Sequence, residues 1–236
     1  MIPIFSMQQH ILKDFDHAVS TLRAEVLVMA GLARLNLERA MRALFERNLE
    51  LANAVIADDN EVDEYERRID QLGMDVLVRF HPVASDLRLV VTSMKISMNL
   101  ERISDHAVSI AKRARKMSEG AELPDVTLLE PLYTLADHLL RDAISSFSDR
   151  NAVLGESLGA RDNELDRMHR EVTALFGSRI EESGRSADYL HLILIVRSLE
   201  RVGDMAANIG ENAVFLDEAR DIRHEESRKH SQNNPG

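Results

Sequence analysis

The sequence predicts an all-α protein made of two tandem, pseudo-symmetric three-helix bundles. Three observations carry that expectation. Ala, Leu, Glu, Arg and Met dominate while Gly (10) and Pro (5) are scarce, a composition that favours helix. Apolar residues recur at steps of three and four over long stretches. The chain also repeats itself. Glu101-Arg-Ile-Ser-Asp105 returns as Glu200-Arg-Val-Gly-Asp204, and Asp59-Asn-Glu-Val-Asp63, upstream of the first, returns as Asp162-Asn-Glu-Leu-Asp166 upstream of the second. A duplication within 236 residues implies two halves of one plan, expected at 8–119 and 125–219.

The elements follow in order. From about His10 to Arg47, Phe15, Val19, Leu22, Val26 and Met29 mark one face of a long first helix, with Gly31 as a place for a bend. A short amphipathic piece, Leu49 to Ile56, leads through Asp58-Asp59-Asn60 into a second long helix, which His81-Pro82 ends because proline blocks continuation. Ser85 is the expected N-cap of a third helix, Asp86 to Met117. Gly120 to Asp125, with Pro124 inside, marks the boundary between halves.

The second half retraces this plan with a helix over Thr127 to Asp149, a short piece over Ala152 to Leu158, a helix over Arg161 to Glu182, a turn at Ser183-Gly184 and a last helix over Ala187 to Leu216. Glu46-Arg-Asn48 before the first short piece is echoed by Asp149-Arg-Asn151 before the second. The polar stretch 220–236, with His224 and His230, is expected to be disordered.

Several function classes drop out on composition. A net charge of -11 argues against nucleic acid as a partner, because phosphate backbones demand clustered cations. The one dense basic run, Lys112-Arg-Ala-Arg-Lys116, suits the end of a helix. With 0 Cys there is no disulfide framework, zinc ribbon or thiol nucleophile, which fits a cytoplasmic protein. No stretch has the length of a membrane span and the first residues lack the pattern of a signal peptide, so any membrane process is served from the aqueous side. No Gly-rich phosphate loop, zinc-protease motif or nucleophile constellation is present, and no catalytic role is expected.

The carboxylates are the candidate functional residues. The third helix has an apolar seam at Leu89, Ile96, Leu100, Ile103, Ala107 and Ile110, and Glu101 and Asp105 sit one step past it. In the last helix the seam is Leu192, Ile195, Leu199, Val202, Ala206, Ile209, Ala213 and Leu216, with Glu200 and Asp204 again one step past. Asp59 and Asp63 flank the seam Val62, Tyr65, Ile69, Leu72, Val76 of the second helix, and Asp162 and Asp166 flank Leu165, Met168, Val172, Leu175 of the fifth.

Helices joined by a short turn run antiparallel, so both tracks border the same rim, about 25 to 30 Å from the turn. Two quartets should form at the edge of the core: Asp59, Asp63, Glu101 and Asp105, then Asp162, Asp166, Glu200 and Asp204. Gathered carboxylates repel unless protons or cations intervene, and hard or borderline ions such as iron, magnesium, manganese, zinc or calcium take oxygen ligands.

Arg102 and Arg201 are expected to reach other helices rather than these acids. Glu66 and Asp70 prolong the first acidic track, whereas His169 replaces Glu66 in the second half; a solvated surface position for His169 competes with a ligand role. Leu87, Val91, Met94, Met98 and Val108 give the third helix a second apolar face, which a partner helix or second subunit would cover. A ferritin-like di-iron site is disfavoured, because it wants Glu-x-x-His in the bundle interior and His106 lies five residues after Glu101.

Asp59-x-x-x-Asp63-x-x-Glu66-x-x-x-Asp70, Pro82-Val-Ala-Ser-Asp-Leu-Arg88, Glu101-Arg-Ile-Ser-Asp105 and their partial repeats at Asp162-x-x-x-Asp166 and Glu200-Arg-Val-Gly-Asp204 resemble the PhoU family of bacterial phosphate-signalling regulators, from about His10 to Leu216. The resemblance implies two three-helix bundles, spectrin-repeat-like, whose acidic motifs hold multinuclear metal clusters in some members. It also implies a cytoplasmic and often dimeric adaptor linking the phosphate ABC transporter, through its ATPase, to a sensor histidine kinase. In that role it keeps the phosphate-starvation response off when phosphate is plentiful. Rival expectations are a carboxylate-bridged metal enzyme or metal store, and a metal-free accessory protein of another phosphate permease. The second half departs from the family pattern at Ser186-Ala-Asp188 and at His169, which implies a second site of different strength.

Overall fold

A computed structural model describes residues 4–223; of the stretch 220–236 expected to be disordered, 224–236, with His224 and His230, lies outside them, while Arg220 is tied to Glu156 of the fifth helix at 2.8 Å. The described chain forms helices α1 (Ile4–Phe45), α2 (Leu49–Phe80) and α3 (Ala84–Ser118), a 3₁₀ turn (Pro124–Leu129), then α4 (Glu130–Ser148), α5 (Ala152–Ser183) and α6 (Ser186–Glu218), with no strand among the described residues. α1, α2 and α3 pack on one another, as do α4, α5 and α6, and α3 and α6 lie against each other between the two bundles.

Two expected breaks are absent. The short pieces at Leu49 and Ala152 are the first turns of α2 and α5, which run without interruption through Asp58-Asp59-Asn60 and through Arg161. Asp and Asn are weak helix formers, but Ala52, Val55 and Val62 on one side, and Ala152, Leu158 and Leu165 on the other, are buried across the join and hold one continuous helix. α1 likewise continues through Gly31.

The true starts of α2 and α5 use the repeated tripeptide. Arg47 and Arg150 take left-handed conformations, φ 53° and 51°. Asn48 and Asn151 then cap the helices by accepting from the backbone N–H of Leu51 and Leu154, each at 3.0 Å. α2 closes on left-handed His81, whose N–H donates to Leu77 O at 3.3 Å, just before Pro82. α5 closes on Gly184 at φ 66°. Ser85 is not the cap of α3: Val83 occupies that position and offers no side-chain cap. The expected start of α4 at Thr127 is a 3₁₀ turn, with the α-helix beginning at Glu130.

The seams of α3 and α6 are buried at every expected position, each full burial of a Leu or Ile contributing about 1.5–3 kcal/mol. In α5 the seam ends on Phe176, which is fully buried, rather than on Leu175, which is exposed. A helix turns every 3.6 residues, so a seam read at steps of three and four drifts by one after several turns. Val108 of the second apolar face of α3 is buried and Met94 packs over Gly73 of α2, while Leu87 and Met98 stay exposed.

Arg88 Nε at the start of α3 donates to Leu216 O at the end of α6, 3.2 Å, which makes the central pair antiparallel. Arg34 of α1 clamps Asp137 of α4 through two bonds of 2.7 and 3.0 Å. The duplication is visible in ion pairs of opposite polarity: Arg39 of α1 donates to Asp58 of α2 at 3.1 Å, and Asp142 of α4 accepts from Arg161 of α5 at 2.7 Å.

The second bundle is tighter at one crossing. A side chain begun on Gly155 would lie 2.6 Å from Gly210 O, so α5 and α6 touch backbone to backbone. Gly155→Ala is therefore expected to cost about 1–3 kcal/mol by overpacking, read as a lower urea midpoint. A midpoint equal to wild type would show that this contact relaxes freely.

Candidate functional site: two acidic clusters

Both clusters form because α2 with α3, and α5 with α6, are antiparallel neighbours whose buried seams fix their rotation. In the first bundle Asp59, Asp63 and Glu66 on α2 face Glu101 and Asp105 on α3. Asp59 is pushed above the usual carboxylate range by partial burial and then by Asp105 and Asp63. Burial, Asp105, Glu66 and Asp63 together raise Glu101 to about 7, with Arg102 opposing. Glu66 is raised by burial, Asp70, Asp63 and Asp105. Across the two helices Asp59 feels Asp105 most, while Glu101 feels Glu66 ahead of Asp63, as an antiparallel register requires. Glu66 belongs to this group, and its place seven residues after Asp59 on the same helix face was the signal for it.

In the second bundle three of the four expected residues converge. Asp166, Glu200 and Asp204 bring one oxygen each within 4.8 Å of one another, half-buried at the rim. No comparable trio closes up in the first bundle among the described residues. Asp162 stands apart from the trio. It turns a buried Oδ1 against α6, 2.5 Å from where a side chain on Gly203 would begin, and Leu165 crowds the same spot. Gly203 is what permits this approach. Its counterpart Ser104 instead accepts a hydrogen bond from buried Asn36 at 3.1 Å. The second half replaces that polar pair by Leu139 and Gly203.

Glu200 is raised by burial and Asp204 against the pull of Arg201 and His169. Burial likewise raises Asp204, opposed chiefly by Arg201. The Glu200 side chain is 15% exposed, and its buried Oε2 has no hydrogen-bond donor. His169 is half-buried and within electrostatic reach of Glu200 and Asp204, so it is part of the setting of the second cluster.

The expectation for Arg201 is overturned. It folds along its own helix, 2.9 Å from Asp204 and 3.3 Å from Glu200, because a long side chain reaches one turn ahead and the raised negative charge draws it there. Arg102 is exposed and makes no ion pair among the described residues. His106 lies at the seam between α3 and α6, its pKa lowered by burial and by Arg201, Arg197 and Arg102.

Compared with known proteins, the chain matches the PhoU domain family model twice, over residues 26–114 and 129–213. The chain belongs to the PhoU family. It is 34% identical to the phosphate-specific transport system accessory protein PhoU homolog of Pseudomonas putida, over 95% of this chain and 88% of that one. With the homolog of Pseudomonas aeruginosa it shares 31%, over 95% and 93%.

The crystal structure of PhoU from Pseudomonas aeruginosa superposes with a TM-score of 0.84 at 30% identity, covering 87% of this chain and 100% of that one. That of the phosphate transport system regulatory protein PhoU from Streptococcus pneumoniae gives 0.82 at 24%, over 88% and 99%, a likeness of fold. PhoU relatives are named for accessory and regulatory roles and not as enzymes.

The PhoU family resemblance raised metal clusters, and the residues here fit such a group. Both sets are all-oxygen, rim-placed and raised by burial and then by mutual repulsion, and the buried Glu200 Oε2 accepts no hydrogen bond although Arg201 Nε lies 3.3 Å away.

The raised Glu101 has a consequence for stability. Its folded pKa, about 7, exceeds the ordinary 4.5, so the folded state holds its proton longer than the unfolded chain does. The stability linked to that proton is present below about 4.5 and is lost as pH rises through about 7. With metals chelated, Glu101→Gln should match wild type near pH 5 and exceed its melting temperature near pH 8. A constant difference between the two proteins across that window would show that Glu101 ionises normally.

Proposed function

We propose that the chain is a non-catalytic accessory and regulatory protein of a phosphate-specific transport system. The observation that carries the reading is likeness along nearly the whole chain, 34% identity over 95% of its length, to a relative named as such an accessory protein. In this reading it docks on the transporter's ATPase subunit and on a sensor histidine kinase, and restrains the phosphate-starvation response when phosphate is abundant. It works in the cytoplasm as a homodimer and meets the membrane only through those partners. No described helix is long and apolar enough to cross a membrane.

Metal belongs to the same proposal. Asp59, Asp63, Glu101 and Asp105, with Glu66 beside them, would hold ions in the first bundle, and Asp166, Glu200 and Asp204 in the second, where Asp162 would have to turn away from Gly203 to join them. Bound iron, zinc, manganese or magnesium would neutralise carboxylates that now repel one another and so stiffen the α2–α3 and α5–α6 rims. The chain's own residues supply the register and the partial burial that make the ions welcome.

Co-purification, a reporter and metal content test this. Affinity-tagged protein should co-purify with the ABC-type ATPase subunit, and deleting its gene should switch on a phosphate-starvation reporter in phosphate-rich medium; co-purification with a different phosphate permease instead would favour that rival. Protein prepared without chelator should carry metal that an Asp63→Ala/Glu101→Ala variant largely loses. Equal metal in both would remove the first site, and rapid ferrous oxidation with mineral formation would favour the metal store.

A further inference from the structure

The two acidic clusters are duplicates in sequence but differ in their counter-ions. In the second, the Arg201 guanidinium lies 2.9 Å from Asp204 and 3.3 Å from Glu200, and those two carboxylates and Asp166 are drawn within 4.8 Å of one another. In the first, Arg102 stands at the equivalent position, is exposed and pairs with nothing among the described residues, and no comparable trio forms. The second cluster also exchanges a carboxylate for an imidazole, His169 for Glu66.

Resting on the metal reading above, we infer that Arg201 is a built-in counter-cation of the second cluster, so that a divalent ion enters that bundle by displacing a guanidinium. In the first bundle an ion has no such resident to displace and binds by ordering loose carboxylates.

The physical basis is competition for the same oxygens. A guanidinium bonded to carboxylates is a charge-assisted contact that lowers their repulsion without closing around them. It contributes one positive charge where a metal ion contributes two, and its Nε approaches the buried Glu200 Oε2 to 3.3 Å without the alignment of a hydrogen bond. The ion therefore wins the exchange but binds more weakly than it would to the same oxygens left bare. Arg201 is exposed, its side chain 45% accessible, so it can leave without breaking the core. On its α3 side lies His106, within electrostatic reach, together with Arg197. Metal entry thus releases a cation at the junction of the two bundles, and occupancy of the second cluster changes the charge of that surface.

The test uses the full chain carrying Asp63→Asn and Glu101→Gln, which leaves the second cluster as the ion-binding group, and titrates it with Mn²⁺ by calorimetry. Adding Arg201→Gln should tighten Mn²⁺ binding by about tenfold or more, and adding Arg201→Lys should leave it near the parent value. Without metal, the Gln variant should melt lower than the parent and gain more on adding Mn²⁺. Circular dichroism checks that each variant is folded.

The mirror variant, Arg102→Gln in a chain carrying Asp166→Asn and Glu200→Gln, should change Mn²⁺ affinity by less than about threefold. Unchanged or weaker Mn²⁺ binding in the folded Arg201→Gln protein overturns this inference and leaves the metal reading intact. If the unsubstituted chain binds Mn²⁺ and the Asp63→Asn/Glu101→Gln chain does not, the second cluster is no site and the inference fails alone. If the unsubstituted chain binds no divalent ion, the metal reading falls and takes the inference with it.

Discussion

α3 and α6 lie side by side and antiparallel, each roofed by two helices of its own half, and this double burial decides where the acidic side chains can go. Their seams are occupied by Ile, Leu, Val and Ala, interrupted in α3 by the buried Thr92 and Ser93, so neither helix can rotate by one residue without driving a carboxylate into the core. Burying an unpaired charge costs far more than packing recovers. The rotation is thus over-determined, and Glu101, Asp105, Glu200 and Asp204 are held at the rims by residues that take no part in binding.

That rigidity lets the molecule keep an arrangement it would otherwise lose. Partial burial first, and then the repulsion between carboxylates on the same and adjacent helices, push Asp59, Glu66, Glu101, Glu200 and Asp204 upward. In an isolated hairpin this repulsion would splay the helices. Here it is absorbed by the interior, and the stress is available to whatever positive charge arrives, whether a proton, a guanidinium or an ion.

The two halves show how a duplicated plan diverges without losing its frame. The Asn-capped turns at Asn48 and Asn151 are alike down to the bond length. One cross-helix ion pair survived with its polarity reversed, Arg39 with Asp58 against Asp142 with Arg161. The buried Asn36–Ser104 pair became Leu139 and Gly203, a trade of polarity for volume that brings α5 closer to α6 and lets Asp162 reach its backbone. Such swaps keep the total packing constant while changing the chemistry at the rim.

Sequence alone determined the helical class, the duplication, the α3 and α6 seams, the repeated Glu-Arg-Asn and Asp-Arg-Asn phrases before α2 and α5, and the helix faces that carry the acids, because 3.6-residue periodicity is local information. It misplaced the breaks before Glu61 and Arg161, because propensity read locally says nothing of the buried Val55, Val62, Leu158 and Leu165 that carry the helices through. It also put Leu175 where Phe176 packs, since a drifting seam is corrected only by its neighbour. Only the tertiary structure decided that Arg201 turns back on its own acids while Arg102 does not, that Glu66 joins the first cluster, and that Asp162 leans on Gly203. Those outcomes depend on distances between helices and on the local burial of charge, which residue spacing along one helix does not contain.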